Sequence, residues 1–325
     1  MRIKKLHILL IISILVVIKQ LICNHNMHNL YAIFAKYLDI CKQFAGNLVT
    51  PSGNIPRCGV VPKFSDLEVI ALSLVAETEG IDSENFLFSR LSEYVDSFPN
   101  LISRRQFNDR RKSTSNLCEE IRKRISDSID GGENLFCVDS KPIEVCRLAR
   151  AKRCKMGKDD FSKAPNFGYC ASQGMYYYGY KLHALCGLNG VIHSYDLTKA
   201  SVHDINYMYD IKELYHDCSV FGDRGYIGKE MQLDLFETAN IKLECPYRLN
   251  QKDWKPVFIP FAKARKRIET VFSQLNDQFM LIRNYAKDIK GFFARIIGKV
   301  SALTLLQYIN KMNNRPIGQV KYALI

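Results

Sequence analysis

The hydrophobic period of this chain changes once, at Gly131-Gly132, and that change limits the fold more than any other feature. Ahead of it, from about Asn29 to Ile129, apolar residues recur at helical spacing, as in LYAIFAKYLDICKQF and LEVIALSLVAETEG. Ser65 and Asp66 stand just before the second run, where an oxygen-bearing side chain caps a helix start. Behind the glycines the pattern becomes extended, and short apolar strands alternate with helices. The runs Met175–Gly187 and Val191–Thr198 are joined by Asn189-Gly190, a pair suited to the positive φ angles of a tight hairpin. LFCV leads into Asp139, SVFG rises to Asp223, a helix is expected over about Lys229–Ala239, and IKLECPY reads as a further strand. A helix is expected to begin near Ser201, with Asp204 three residues on as in a capping box, and a long basic helix near Pro260. The expected class is α/β, with a helical region ahead of it, and 325 residues suffice for one large core or two ordinary domains.

Charge narrows the partner. Lys and Arg number 46 against 33 acids, a formal +13, which favours a polyanion: nucleic acid first, acidic membrane second. The excess is uneven, because the stretch from Lys252 to Ile325 holds fourteen Lys and Arg against four acids. Two more basic stretches are Ser103–Lys112 and Arg147–Lys158. In the first, Arg104, Arg105, Arg110 and Arg111 flank Phe107 as in a helix laid into a DNA groove. The eleven cysteines are odd in number, with no CxxC pair and no Cys/His cluster at zinc spacing, so neither disulfides nor structural zinc is expected. Free thiols suit a reducing cytoplasm, where a DNA-bound, nucleoid-associated protein would reside.

The first twenty-six residues oppose that location, since MRIKK followed by LHILLIISILVVI has the form of a secretory signal. Its apolar run, Leu6–Ile18, is shorter than the roughly 18 residues of a spanning helix. KQLICNHN after it lacks a small-x-small cleavage site. Residues 1–26 therefore read either as upstream translation ahead of a true start at Met27 or as a signal-like anchor, and no stable membrane association is expected.

Two acids end apolar strands: Asp139 after Phe136-Cys137-Val138, and Asp223 after Val220-Phe221-Gly222. A carboxylate there loses solvation unless something pairs with it, and a divalent cation is a natural partner. In the helix ARKRIETVFSQLNDQF, the stripe Ile268, Phe272, Leu275 and Phe279 shares one face, and Glu269 lies at its edge, able to lean toward the sheet. Three carboxylates from two strands and a helix suit two Mg²⁺ ions and phosphoryl transfer. Taken singly, the two aspartates also read as turn or cap acids, and Glu269 as the helix partner of Arg265. Lys141, and Lys181 with His183 on one strand face, are candidate phosphate or supporting groups.

The segments FCVDSKPI, YYGYKLHALCGLNGVI, FGDRGYIG and RKRIETVFSQL, in this order, resemble the DDE transposases of bacterial insertion sequences, most nearly the group numbered nine-eighty-two. The resemblance spans roughly Leu135–Leu281, and the helical front from Met27 also fits. It implies an RNase H-like mixed sheet flanked by helices over residues 131–325, preceded by an all-helical DNA-binding region over residues 27–130. It places the family's catalytic, metal-holding acids on Asp139, Asp223 and Glu269. It further implies Mg²⁺, with Mn²⁺ able to substitute, and DNA as partner, both the element's terminal repeats and a target. A homo-oligomer would form the synaptic complex. Many relatives carry Tyr seven residues before the glutamate, Arg four before and Lys seven after; here these are Ala262, Arg265 and Asn276. Arg265 can still meet phosphate, and Lys266, Arg267 or Arg283 stand in for the missing lysine, or else end binding differs in detail. A metal-dependent nuclease without strand transfer and a non-catalytic DNA-binding descendant are the alternatives; the three intact acids oppose the second.

Overall fold

The computed structural model describes residues 29–158, 160–246 and 259–324; the leader, with both candidate starts, lies outside them. The front is helical: α1 (Leu30–Ala45), α2 (Asp66–Thr78), α3 (Glu84–Leu91), α4 (Arg104–Ser113) and α5 (Ser115–Asp130). Ser65 starts α2 as expected. Its hydroxyl accepts from the Glu68 amide at 3.2 Å, and the Glu68 carboxylate accepts from the Ser65 amide at 2.6 Å, closing a capping box. Ser65→Ala should cost about 1 kcal/mol, read as a lower urea midpoint at unchanged slope. Asp66 does not cap; it is buried and holds Arg57 and, at 2.7 Å, Arg110.

Past Gly131 come β1 (Leu135–Cys146), β2 (Asn166–Cys170), β3 (Met175–Gly187), β4 (Ile192–Lys199), β5 (Ser219–Phe221) and β6 (Lys242–Glu244), all in one sheet. β1 is antiparallel to β3 and parallel to β5, and β5 is parallel to β6. β2 and β4 lie end to end along the other edge of β3, pairing with residues 175–179 and 180–186 in turn. Antiparallel strands on one side of β1 and parallel ones on the other make a mixed sheet consistent with an RNase H-like fold. The Asn189-Gly190 turn forms where expected, with Gly190 at φ +95° and its amide bonded to the Gly187 carbonyl at 2.9 Å. β2 was not evident from the sequence pattern. The helix expected near Ser201 starts later, as a short 3-10 turn at Asp204–Asn206 leading into α6 (Tyr207–Leu214). His203 is its cap, accepting from the Ile205 amide at 3.4 Å, because Asp204 is drawn instead toward the sheet.

Helices α7 (Lys229–Ala239), α8 (Ile259–Asp277) and α9 (Ile289–Met312) follow, and then a 3-10 turn, Val320–Leu324. Cys137, Ile143, Leu182 and Ala184 belong to a core that runs without a break through α8 and α9 into α1, α2 and α5. Phe136, Val138 and Leu185, of opposite parity, form a second core with α6 and α7. Ile268, Phe272, Leu275 and Phe279 are buried, as their spacing predicts, each contributing roughly 1.5–3 kcal/mol by leaving water. Among the described residues no helix is long and apolar enough to cross a membrane.

Candidate active site

The parallel pairing of β1 with β5 sets Cys137 opposite Phe221, and Asp139 and Asp223 each follow two residues later. The two acids therefore stand side by side where β5 ends; Asp223 lies just past its strand, whereas Asp139, expected at a strand end, is within β1, which runs on to Cys146 paired with β3. The Asp139 carboxylate accepts from the Ser140 amide at 2.8 Å. Asp223 caps a 3-10 turn, Arg224–Tyr226, by accepting from the Gly225 amide at 2.7 Å. A Cβ on Gly225 would lie 2.9 Å from Asp223 Oδ1 and 3.2 Å from Asp204 Oδ2, so glycine lets this turn thread between two carboxylates.

Burial pushes the Asp139 carboxyl up to about 7; Asp223 and Asp204 add repulsion, against which the Ser140 amide and Arg265 act. Arg265 comes from α8. Burial disfavours its charge, yet Glu269, Asp139 and Asp223 together outweigh this and hold the guanidinium firmly protonated. Its Nε donates to Glu269 Oε1 at 3.0 Å, and the Glu269 side chain is 55% exposed. One guanidinium thus answers to all three acids that the sequence singles out. Among the described residues no three His, Cys, Asp or Glu side chains stand close enough to share one ion; Glu269 is bonded to Arg265 instead.

The donor set nevertheless fits a hard divalent cation. Two neighbouring carboxylates repel one another in partly desolvated surroundings, and one arginine acts on both and on the third acid. Tyr226, fully buried, keeps a hydroxyl without a hydrogen-bond partner among the described residues, and Asp204, Asp139 and Asp223 all act on it. A buried hydroxyl beside three carboxylates is a donor set that suits a cation.

Two residues here were missed in the sequence. Asp204, taken for a helix cap, accepts from Ser140 Oγ at 3.1 Å and from Lys181 Nζ at 2.8 Å. Tyr226 lies within FGDRGYIG, and nothing in that string separates it from an ordinary core tyrosine. Lys181 also donates to the Val202 carbonyl at 2.6 Å, so it ties β3 to the segment before α6 and supports Asp204. His183 is 0% exposed, bonded through Nε2 to Thr198 Oγ1 at 2.8 Å and stacked on Tyr207. Burial lowers its pKa to about 4. It is a neutral buried group, out of reach of a phosphate, which leaves the supporting one of its two expected roles.

The basic helix α4 needs the same correction in part. Arg110 pairs with Asp66, and Arg111 is buried against Glu77, so both brace the helices from inside. Arg104 and Arg105 remain exposed. Lys266 is exposed, Lys141 half-buried, and Arg267 packs over Gly190 and Gly318, at the hairpin turn. A family model described as the transposase DDE domain matches residues 130–305, more than half of the chain. Neither the curated proteins nor the solved structures gave a match.

Proposed function

The chain belongs to the DDE transposase family, and from that premise we propose that it binds the ends of its own insertion sequence, cuts at the 3′ ends and joins them to target DNA. The order of its motifs favours the group numbered nine-eighty-two. The observation that carries the mechanism is the β1–β5 pairing that sets Asp139 beside Asp223, with Arg265, bonded to Glu269, acting on both. Asp139 and Asp223 would hold Mg²⁺, with Glu269 joining them once it leaves Arg265. When bound, Mg²⁺ supplies Lewis acidity for the attacking oxygen and charge for the leaving one.

The chain's own groups prepare that reaction. Asp204, fixed by Lys181 and Ser140, holds the backbone beside Asp139 in place. Arg265, freed from Glu269, is placed to take a phosphate oxygen, with Lys141 and Lys266 as further phosphate contacts. In cleavage a water oxygen bonds to the scissile phosphorus and the 3′ oxygen leaves, taking a proton. In joining, that 3′-hydroxyl attacks a target phosphorus and the target's own 3′ oxygen leaves. No covalent protein intermediate is required. Residues 27–130 serve end binding, residues 131–325 catalysis, and a homo-oligomer brings two ends together.

End binding should weaken steeply with salt, each phosphate contact contributing about −0.9 to the slope of log K against log salt. Arg104→Gln with Arg105→Gln should reduce the slope by roughly 1.8, and an unchanged slope would remove α4 from the interface. A pre-cut end supplied with a plasmid target tests the reaction itself. Joined product is expected; cutting without joining would make the protein a nuclease.

A further inference from the structure

Between β1 and β3 the chain carries an insert for which the chemistry above has no use. Its first part exposes Arg147, Arg150, Lys152, Arg153, Lys155 and Lys158 around a 3-10 turn, Leu148–Arg153, anchored by the buried Ala151. Among the described residues none of these six is ion-paired. Its second part is the ribbon that β2 makes with the start of β3. There Phe167 pairs with Tyr178 and Tyr169 with Tyr176, ring centroids 5.0 and 4.9 Å apart. Phe167, Tyr169 and Tyr176 are 50%, 54% and 63% exposed, whereas Tyr177, on the other face, is 2% exposed. Strand alternation thus turns a four-ring surface outward, and a contiguous exposed apolar patch marks a binding site.

The rings and the cations adjoin. Tyr178 lies within electrostatic reach of Cys146 and Cys154, which bracket most of the basic run, and the 3-10 turn contacts β3. Rings alone would suit a protein or a lipid, but six unpaired cations beside them select a polyanion. Duplex DNA hides its base faces within its own stack, so these rings can use them only where bases are unpaired. Tyr178 also shares a sheet face with Ala184, the partner of Asp139, six residues along β3. That is about 20 Å at roughly 3.3 Å per residue, with Tyr180 and Leu182 buried between them.

Resting on the reading of this chain as a DNA-processing enzyme, we infer that the β2–β3 ribbon and Arg147–Lys158 form a second nucleic-acid site, one that takes unpaired bases. Phe167, Tyr169, Tyr176 and Tyr178 stack on the bases, and the basic run follows the phosphates.

The test uses the full chain and labelled oligonucleotides of about 20 nucleotides, single-stranded and duplex, followed by fluorescence anisotropy against salt. Tyr169→Ala with Tyr176→Ala should weaken single-strand binding about fivefold to over a hundredfold for each stacked base lost, leaving duplex binding unchanged. Tyr169→Phe with Tyr176→Phe should restore it, since stacking needs the ring and not the hydroxyl. Lys152→Gln with Arg153→Gln should lower the single-strand salt slope by roughly 1.4. Undiminished single-strand binding by the alanine pair overturns the inference, including in favour of a protein partner for the ribbon. So does loss without rescue by phenylalanine. A chain that binds duplex but no single strand defeats this inference alone; one that binds neither defeats the DNA-processing reading as well.

Discussion

Asp139→Asn, Asp223→Asn and Glu269→Gln should each abolish end cleavage and strand joining together, in proteins that still fold and still bind DNA. Folding survives because none of these charges sustains the core. The Asp139 carboxylate is already disfavoured by burial and by Asp223, and the Glu269–Arg265 pair is half-exposed and so worth at most about 1 kcal/mol. Binding survives, and can tighten, because each change removes a negative charge facing a polyanion. Chemistry collapses because both reactions use the same carboxylates; a loss of at least about a hundredfold is expected for each. Ca²⁺ should support the complex with little reaction, and Mn²⁺ should partly rescue a weakened ligand. Nicking, joining and end binding measured on uncut and pre-cut DNA check all of this. Near-normal joining by Glu269→Gln would pass the third role to Glu244, now paired with Lys242 at 3.0 Å, or to Asp277. Loss of DNA binding in all three would make the acids structural.

Glu77→Gln should be the most destabilising single exchange of a charged residue remote from the site. Glu77 is buried on α2, where it accepts from Arg111 of α4 and from Lys299 of α9, the latter at 2.6 Å; Lys299 also donates to the Phe279 carbonyl at 2.6 Å. Burial alone would raise the Glu77 carboxyl, but Lys299 and Arg111 overcome it and hold it below the usual range. Removing the anion strands two buried cations, which costs about 3–5 kcal/mol out of a typical total of about 5–15. Replacing all three with apolar side chains of similar size should be far milder, near neutral. Urea unfolding compares the two variants. The depressed carboxyl also gives an acid limb: its contribution is whole above about pH 4.3, the unfolded value, and is lost as pH falls through the lower folded one.

Much of this was legible because periodicity and turn chemistry are local. The buried stripe from Ile268 to Phe279, the turn at Asn189-Gly190 and the Ser65 cap each follow from residues within one element. Asp223 was legible as a strand end, whereas β1 runs on past Asp139 to Cys146 because β3 pairs with it throughout. What escaped depends on partners distant in sequence. Arg110 and Arg111 look like any basic helix face until Asp66 and Glu77 are brought against them. Asp204 resembles a cap because Lys181, the group that claims it, lies 23 residues away. His183 reads as a ligand until Tyr207 covers it. β2 was hidden because NFGYC does not alternate apolar with polar, its rings being outward-facing.

The core that joins α1, α2 and α5 to α9 has a consequence for how the protein is made. The front helices leave the ribosome first, while α9, which fills the space between them, ends at Met312. At about 5–20 residues per second, some ten to forty seconds pass between completion of α5 and completion of α9. Throughout that interval the apolar sides of α2 and α5 lack their partner, and the buried Glu77 lacks Lys299. Nascent chains are thus open to chaperones and proteases until α9 has been made, and chains that stop before it never close this core. Only a chain that includes α9 acquires the stable front that holds Arg104 and Arg105 in position, so products that stop before it should compete poorly for DNA.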